Sequence, residues 1–297
     1  MGIRILSAVV GVALFLALCF GGLLSFTLGV TVLAVMGIGE LLAVYRRPAG
    51  EETGGPSETP LSWLNPAAAW IGAIYPLLNY GGTLTNRLTA RNTLGDILYA
   101  GLSAVLVVLF AALLPRAART GKALGNLRAY YGLFGLAYVG MLFGTLVLLR
   151  ALPGRLTVTP FGTADRAAWL TLLTAACVWA TDTSAYLIGR GLGQHKLAPA
   201  LSPNKTVEGA LGGLLGGIAV GVAFAAWLHL ALVDGLVLGL IAGVAGQIGD
   251  LFESALKREA GIKDFGRIMP GHGGVLDRFD SLLFVVPLAY CYLRFFA

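Results

Sequence analysis

Long apolar runs separated by short polar segments dominate the chain, and several of the runs approach 20 residues. A helix needs about 20 apolar residues to cross a bilayer, so the pattern predicts an all-α, polytopic integral membrane protein with about nine transmembrane helices. The first run, Ile3–Val44, is too long for one span and contains Gly21-Gly22, which predicts a break and two helices. The other predicted spans are 63–80, 95–114, 127–149, 168–190, 208–230, 234–256 and 275–296.

One polar segment, residues 46–62, interrupts this pattern in the N-terminal half of the chain. It is rich in Pro and Gly and holds too few apolar residues to form a core, so it is predicted to be a loop. We expect one integrated membrane domain, with N-terminal transmembrane helices in residues 1–166 and the polar chemistry in the helices of residues 167–297.

Composition and charge support a membrane protein and indicate its orientation. Hydrophobic residues make up 57% of the chain and charged residues 12%, too little charge to cover the surface of a soluble protein of 297 residues. In the nine-span pattern with the N-terminus inside, 15 of the 21 basic residues fall on the inner side, which predicts that this side is cytoplasmic. No basic stripe with interleaved aromatic residues is present, so nucleic acid is not an expected partner.

Charge is concentrated near the C-terminus, with six acidic and five basic residues between Asp250 and Asp280. Just before this region, Gln247, Asp250, Ser254 and Lys257 recur at helical spacing. This spacing predicts one polar face on a helix that leaves the membrane. A solvated helix end would account for Lys257, whereas Gln247 and Asp250 follow directly on an apolar run and lie at membrane depth.

The last span opens with Asp277, Arg278 and Asp280, which places two carboxylates one turn apart at a helix N-terminus. Paired carboxylates without His or Cys partners suit Mg²⁺ better than zinc. Gly273-Gly274 would bring backbone N–H groups near an anion. His272 is a weaker candidate, because a lone loop His is more often a bystander. Together these residues indicate phosphoryl or nucleotidyl transfer.

A further acidic residue, Asp182, lies inside the predicted span 168–190. A carboxylate at membrane depth is costly and is therefore a functional candidate by default. Asp182 and Tyr186 are four residues apart and share a helix face, which Gly189 continues. The structural alternative is an Asp that pairs with a loop Arg or caps a broken helix.

The segment SPNKTVEG, residues 202–209, combines turn residues with a helix start. Thr206 is a candidate N-cap, and Lys205 with the first backbone N–H groups would suit a phosphate. An ordinary helix start is the alternative, since such caps are common. Glycines at intervals of four predict close packing of the following helix, namely Gly209, Gly213, Gly217 and Gly221.

These motifs resemble the signature of the phosphatidate cytidylyltransferase family, also called CDP-diacylglycerol synthases. The matching positions are Ser254, Lys257-Arg258, Lys263-Asp264, Gly266, Pro270, His272-Gly273-Gly274 and Asp277-Arg278-x-Asp280. The resemblance extends from Asp182 to Ser281 and is weaker before it. In two places the chain departs from the family, with Met269 in place of a branched aliphatic residue or Phe, and Asn204 where many members have a second Lys.

The resemblance implies a nucleotidyltransferase that converts CTP and phosphatidic acid to CDP-diacylglycerol and pyrophosphate for phospholipid biosynthesis. It implies Mg²⁺ as cofactor and leaves a second cation open. The residues expected to carry the reaction are Asp250, Asp277, Lys257, Lys263 and His272. Those expected to bind substrate are Lys205, Ser254, Arg258, Gly273, Gly274 and Arg278. Those expected to bind metal are Asp250, Asp277, Asp280 and Asp182, the last as ligand of a second cation or as the group that orients a base.

The expected partners are CTP, phosphatidic acid and membrane lipids, and the expected location is a bacterial plasma membrane with the active site facing the cytoplasm. Glycine-rich spans are compatible with a homodimer and equally with internal packing. Three alternatives stay open. A secondary transporter would distribute its polar residues near the midplane, another lipid enzyme such as a CDP-alcohol phosphotransferase or polyprenol kinase would share the phosphate chemistry, and a structural membrane protein would leave the charged loop as a connector.

Overall fold

The computed structural model describes residues 2–45, 70–81, 94–121, 123, 131–156, 164–266, 268 and 273–297. Within these residues the chain is almost entirely helical, with two short β-hairpins, which confirms the predicted all-α class. The predicted loop at 46–62 lies outside the described residues, as does His272.

Nine helical segments occur within the described residues, and each overlaps a predicted span. In the N-terminal half they are α1 (Gly2–Phe20), α2 (Leu23–Tyr45), α3 (residues 70–81), α4 (Leu94–Thr120) and α5 (Tyr131–Gly135), which continues through a π-helical turn (Leu136–Met141) into α6 (Leu142–Arg150). In the C-terminal half they are α7 (Arg166–Leu192), α8 (Val207–Trp227), α9 (Leu232–Ile241), which continues through a second π-helical turn (Ala242–Gly246) into α10 (Gln247–Glu259), and α11 (Leu276–Phe295).

The predicted break in the first apolar run is confirmed, because α1 ends at Phe20 and α2 begins at Leu23. Gly22 between them has a backbone φ of 113°. A side chain at this position would be strained in that conformation, whereas glycine adopts it freely. The glycine pair therefore allows one long apolar sequence to form two helices.

Five helical segments of the described chain are long and apolar enough to cross a membrane, and they are Leu23–Val44, Leu98–Thr120, Gly132–Arg150, Val207–Trp227 and Leu232–Glu259. On α4, a row of large apolar side chains is more than half exposed, as expected for a surface in contact with lipid, and it comprises Leu98, Leu102, Val105, Val108 and Leu109. Helices α7 and α11 are not among the five; each includes charged residues of the predicted site.

The chain divides into two compact units. The first comprises Met1–Leu148 and Ala255–Phe279, and the second comprises Leu149–Ser254 and Asp280–Ala297. The proposed organisation into regions 1–166 and 167–297 stays a prediction.

In the second unit, glycines allow α7, α8 and α9 to pack with their backbones close together. A Cβ atom on Gly213 would lie 2.9 Å from the carbonyl oxygen of Thr181 in α7, and one on Gly217 would lie 3.2 Å from the carbonyl oxygen of Gly239 in α9. The same holds for Gly221, where a Cβ would overlap with the carbonyl of Gly235. The predicted packing role of the α8 glycines is confirmed, and it is internal to this unit.

Two antiparallel hairpins complete the fold. Strands β1 (Arg155–Leu156) and β2 (Ala164–Asp165) precede α7, while β3 (Lys196–Ala198) and β4 (Ser202–Thr206) join α7 to α8. Glu208, in the first turn of α8, accepts hydrogen bonds from the backbone N–H groups of Gln194 (3.1 Å) and His195 (3.2 Å). This carboxylate thereby anchors the start of the second hairpin to α8.

Candidate active site

The second unit contains a pocket of about 450 Å³. A cavity of this size falls in the range typical of small-molecule sites. Its walls come from α7, the β3–β4 hairpin, the start of α8 and the start of α10. The polar side chains that line it are Asp182, Tyr186, Arg190, Asn204, Lys205, Thr206, Gln247 and Asp250.

Two predicted site residues form an ion pair in this pocket. The Nζ of Lys205, on β4, lies 2.6 Å from an Oδ2 of Asp250, on α10, and both side chains are partly exposed, at 25% and 34%. A partly exposed pair of this kind contributes little to stability, since water screens it and competes for both groups. Its partial exposure and its position in a pocket favour a role in binding over a role in folding.

One face of α7 also lines this pocket with polar groups. Asp182, Tyr186 and Gly189 all line the pocket, which confirms the shared face predicted from their spacing. Arg190 donates a hydrogen bond from its Nη1 to the Tyr186 hydroxyl at 3.0 Å. Arg190 was not predicted as a site residue, although its position at the end of an apolar span next to a glycine-rich turn is a usable signal.

Two hydrogen-bonded side chains fix the elements that carry these groups. Thr206 accepts a hydrogen bond from the backbone N–H of Gly209 at 3.1 Å, which confirms it as the N-cap of α8; such a cap contributes about 1 kcal/mol. Gln247 donates from its amide nitrogen to the carbonyl oxygens of Ala210 (2.9 Å) and Gly243 (2.6 Å). Gln247 thus joins α10 to α8 one turn before Asp250.

The first unit holds a second group of predicted residues, centred on Asp277 at the start of α11. Its side chain is only 2% exposed. One oxygen, Oδ1, lies 3.0 Å from Nζ of Lys257, and the other, Oδ2, accepts the backbone N–H groups of Phe265 (2.9 Å) and Gly274 (2.7 Å). Three donors on this buried carboxylate hold the surrounding chain in place.

Gly273 is required in this turn for two reasons. Its φ is 87°, which disfavours residues with a side chain. A Cβ atom there would also lie 2.8 Å from the Asp277 carboxylate. The predicted anion-binding role of Gly273-Gly274 stays a prediction, because the N–H of Gly274 points at a carboxylate of the chain itself.

Glu40, on α2, belongs to the same group and was not predicted. It is 6% exposed, and it accepts hydrogen bonds from the backbone N–H groups of Val275 (2.8 Å) and Leu276 (3.0 Å). The position of an acidic residue inside an apolar span was the sequence signal that could have identified Glu40 as a functional candidate. The partner of that acid, however, lies more than 200 residues away in the sequence.

The remaining predicted residues that the structure describes lie on α10, just after it or on α11. Ser254 is half-buried on α10, and Asp280 is half-buried on α11, where its Oδ1 accepts the backbone N–H of Ser281 at 2.6 Å. Arg258, Lys263 and Arg278 are exposed. The structure thus brings Asp182, Lys205 and Asp250 together in one unit and Lys257, Gly274 and Asp277 together in the other.

The oxygen donors of the pocket fit a hard divalent cation. Asp182 and Asp250 contribute carboxylates to one cavity, with the Asn204 amide beside them, and Mg²⁺ prefers one or two carboxylates completed by water and substrate phosphates. Across the described residues, no group of three His, Cys, Asp or Glu side chains is placed to hold a metal. The role of Asp277 as a metal ligand stays a prediction.

Comparison with known proteins identifies a family model that matches almost the whole chain and relatives that match part of it. A family model described as the cytidylyltransferase family matches residues 2–296. The phosphatidate cytidylyltransferase of Bacillus subtilis is 41% identical over 164 residues, which cover 54% of this chain and 56% of the relative. That of Staphylococcus saprophyticus is 49% identical over 113 residues, covering 37% and 44%. The chain spans about half the length of the curated relatives it matches.

Proposed function

The chain belongs to the cytidylyltransferase family, and on this premise we propose that it transfers CMP from CTP to phosphatidic acid, giving CDP-diacylglycerol and pyrophosphate. The observation that carries the proposal is the family match over residues 2–296. The names of the bacterial relatives support phosphatidate as acceptor. The pocket that pairs Lys205 with Asp250 supports a substrate that brings both phosphate and a cation.

In the proposed reaction, a phosphate oxygen of phosphatidic acid attacks the α-phosphorus of CTP. The bond between that phosphorus and the oxygen bridging to the β-phosphate breaks, and pyrophosphate leaves with the electron pair. No protein nucleophile is required, because the lipid phosphate supplies one. The task of the protein is therefore to position two anionic substrates and to offset their charge.

The pocket residues have distinct tasks in this proposal. Lys205 releases Asp250 as the triphosphate arrives and binds a phosphate oxygen instead, and Arg190 adds a second positive charge at the pocket wall. Asp182 and Asp250 would hold Mg²⁺, and the cation would offset the charge on the triphosphate. Thr206 and Gln247 keep the hairpin and α10 in place while these bonds exchange.

Residues of the first unit are also proposed to offset the charge of the substrates and to bind metal. Lys257, held by Asp277, adds positive charge for a phosphate, and the exposed Arg258, Lys263 and Arg278 attract the anionic substrates. Asp277, and Asp280 of the second unit, are proposed as further metal ligands, and His272 as part of the loop that surrounds the phosphate.

We place the reaction at the cytoplasmic face of a bacterial plasma membrane. The bias in Lys and Arg between the two sides supports this orientation, and the relatives come from bacteria. A homodimer stays a prediction, because the α8 glycine stripe is already used within its own unit.

The test is incorporation of label from CTP into chloroform-soluble product by membranes that contain the chain, with phosphatidic acid and Mg²⁺ supplied. CTP labelled at the α-phosphate should give labelled lipid, and CTP labelled at the γ-phosphate should give none. EDTA should abolish the incorporation, and excess Mg²⁺ should restore it. Membranes without the chain are the control.

Two results would contradict the proposal. Label from the γ-phosphate alone would indicate a lipid kinase. Absence of phosphatidate-dependent label in several detergents and lipid mixtures would reject the reaction altogether.

A further inference from the structure

Helix α2 carries a buried carboxylate, Glu40, whose charge is met by the first backbone groups of a distant helix. Its Oε1 accepts the N–H of Val275, and its Oε2 accepts the N–H of Leu276, at 2.8 and 3.0 Å. The first backbone N–H groups of a helix have no partner within the helix and attract negative charge. Glu40 thus caps α11 from a position 235 residues earlier in the sequence.

The space around this carboxylate is shaped to hold it in one place. A Cβ atom on Gly266 or on Gly274 would overlap with the Glu40 carboxylate oxygens. Both positions therefore require glycine for the observed hydrogen bonds to form. An acid that only needed solvation would not require two glycine backbones packed against it.

Glu40 and Asp277 together accept hydrogen bonds from three consecutive backbone N–H groups. Asp277 accepts the N–H of Gly274, and Glu40 accepts the next two, those of Val275 and Leu276. The same Asp277 carboxylate also lies 3.0 Å from Lys257. The orientation of the Asp277 carboxylate beside Lys257 is thus set jointly by its own hydrogen bonds and by the two amides that Glu40 holds.

We propose that Glu40 is a positioning residue for the reaction, and that it holds the start of α11 so that Asp277 and Lys257 keep their geometry through turnover. This inference rests on the proposed function. Glu40 lies in the apolar span of α2, and its carboxylate oxygens contact the first amides of α11 and the glycines beside them. Loss of its two hydrogen bonds should slow turnover without weakening the first encounter with CTP.

The first variant is Glu40→Gln, which keeps the size of the side chain. An amide has one carbonyl oxygen and turns an NH₂ group toward the second backbone N–H, so one of the two hydrogen bonds is lost. We expect kcat to fall about 10- to 100-fold, with KM for CTP changed by less than about twofold. Thr31→Val, earlier in the same helix, is the matched control and should leave both constants unchanged.

The second variant, Gly266→Ala, retains the acid and displaces it. In the wild-type background, the added methyl group pushes Glu40 away from its amides and should lower kcat about 10-fold. In a Glu40→Ala background the carboxylate no longer blocks the methyl group, which still meets the Cα of Gly274 at 3.1 Å, so Gly266→Ala should add only about a twofold further loss. Independent, fully multiplicative losses would overturn the proposal.

Hydrogen exchange provides a readout that does not depend on activity. Peptides covering residues 273–280 should exchange faster in Glu40→Gln than in the wild type, because the amides of Val275 and Leu276 lose an acceptor. Unchanged exchange would overturn the proposal. So would variants that lower the melting temperature and the yield while kcat per folded molecule stays at the wild-type value.

The label assay and the Glu40→Gln variant separate the proposed function from the positioning role. A wild-type chain without CMP transfer in the label assay rejects the proposed function. A wild-type chain with CMP transfer, whose Glu40→Gln variant keeps its kcat, rejects only the positioning role.

Discussion

Asp250 and Asp277 look equivalent in the sequence, yet their surroundings in the structure differ. Asp250 is partly exposed in a pocket and pairs with one mobile side chain, Lys205. Asp277 is buried and accepts hydrogen bonds from two backbone groups as well as from Lys257. An exposed pair contributes little to folding, whereas a buried carboxylate with three donors does, since removing it leaves those donors unpaired.

The corresponding prediction compares Asp250→Asn with Asp277→Asn. Asp250→Asn should lower kcat on the order of 100-fold and leave the melting temperature in detergent near that of the wild type. Asp277→Asn should lower both, because its amide would turn an NH₂ group toward other donors, at about 1 to 3 kcal/mol for each unpaired buried group. Activity and thermal unfolding of the same preparations are the measurements.

The matched control is Asp234→Asn in the same unit as Asp250. Asp234 is 7% exposed and accepts the Tyr292 hydroxyl at 2.8 Å, a hydrogen bond that an amide oxygen also accepts. The kcat of Asp234→Asn should stay near the wild-type value. Equal losses in Asp234→Asn and Asp250→Asn would show that the effect is structural.

At the scale of elements, the packing of α7, α8 and α9 determines the positions of the helices that line the pocket. The α8 glycines bring its backbone against both neighbours, and Gln247 then joins α10 to α8. Because α7 carries Asp182 and α10 carries Asp250, their positions depend on these contacts. Small residues serve this purpose in membranes, where close backbone approach replaces the hydrophobic effect as the source of helix association.

The prediction for this element is that Gly221→Val destabilises the second unit. The new side chain would overlap with the backbone of Gly235, which cannot rotate away, so the free energy of unfolding should fall by about 1 to 3 kcal/mol. Gly101→Ala in α4 is the control, since a Cβ there meets nothing within 4 Å. A Gly221→Val variant that melts like the wild type would contradict the packing role.

For the whole molecule, the proposed orientation can be tested with sealed membrane vesicles. CTP is highly charged and does not cross a bilayer, so it reaches the site from one side only. Inverted vesicles should incorporate label from external CTP into lipid, and right-side-out vesicles from the same cells should incorporate almost none until detergent opens them. Equal incorporation by sealed vesicles of both kinds would contradict a cytoplasmic site.

Local patterns of the sequence were sufficient for much of the fold. The apolar runs predicted the helices, because a helix that crosses a bilayer requires a continuous run of apolar residues. The helix break at Gly21-Gly22, the Thr206 cap, the shared face of Asp182 and Tyr186, and the α8 glycine stripe all follow from spacings within one or two helical turns. The family motifs near Asp277 are likewise local.

Tertiary structure alone decided which residues meet. The pairing of Lys205 with Asp250 depends on how a hairpin and two helices pack, and the bonds from Glu40 to Val275 and Leu276 join positions at opposite ends of the chain. Periodicity carries no information about such partners, because the contact is set by the packing of whole helices. The sequence by itself therefore determined the helices and their candidate chemistry, while the packing determined that a carboxylate from α2 completes the start of α11.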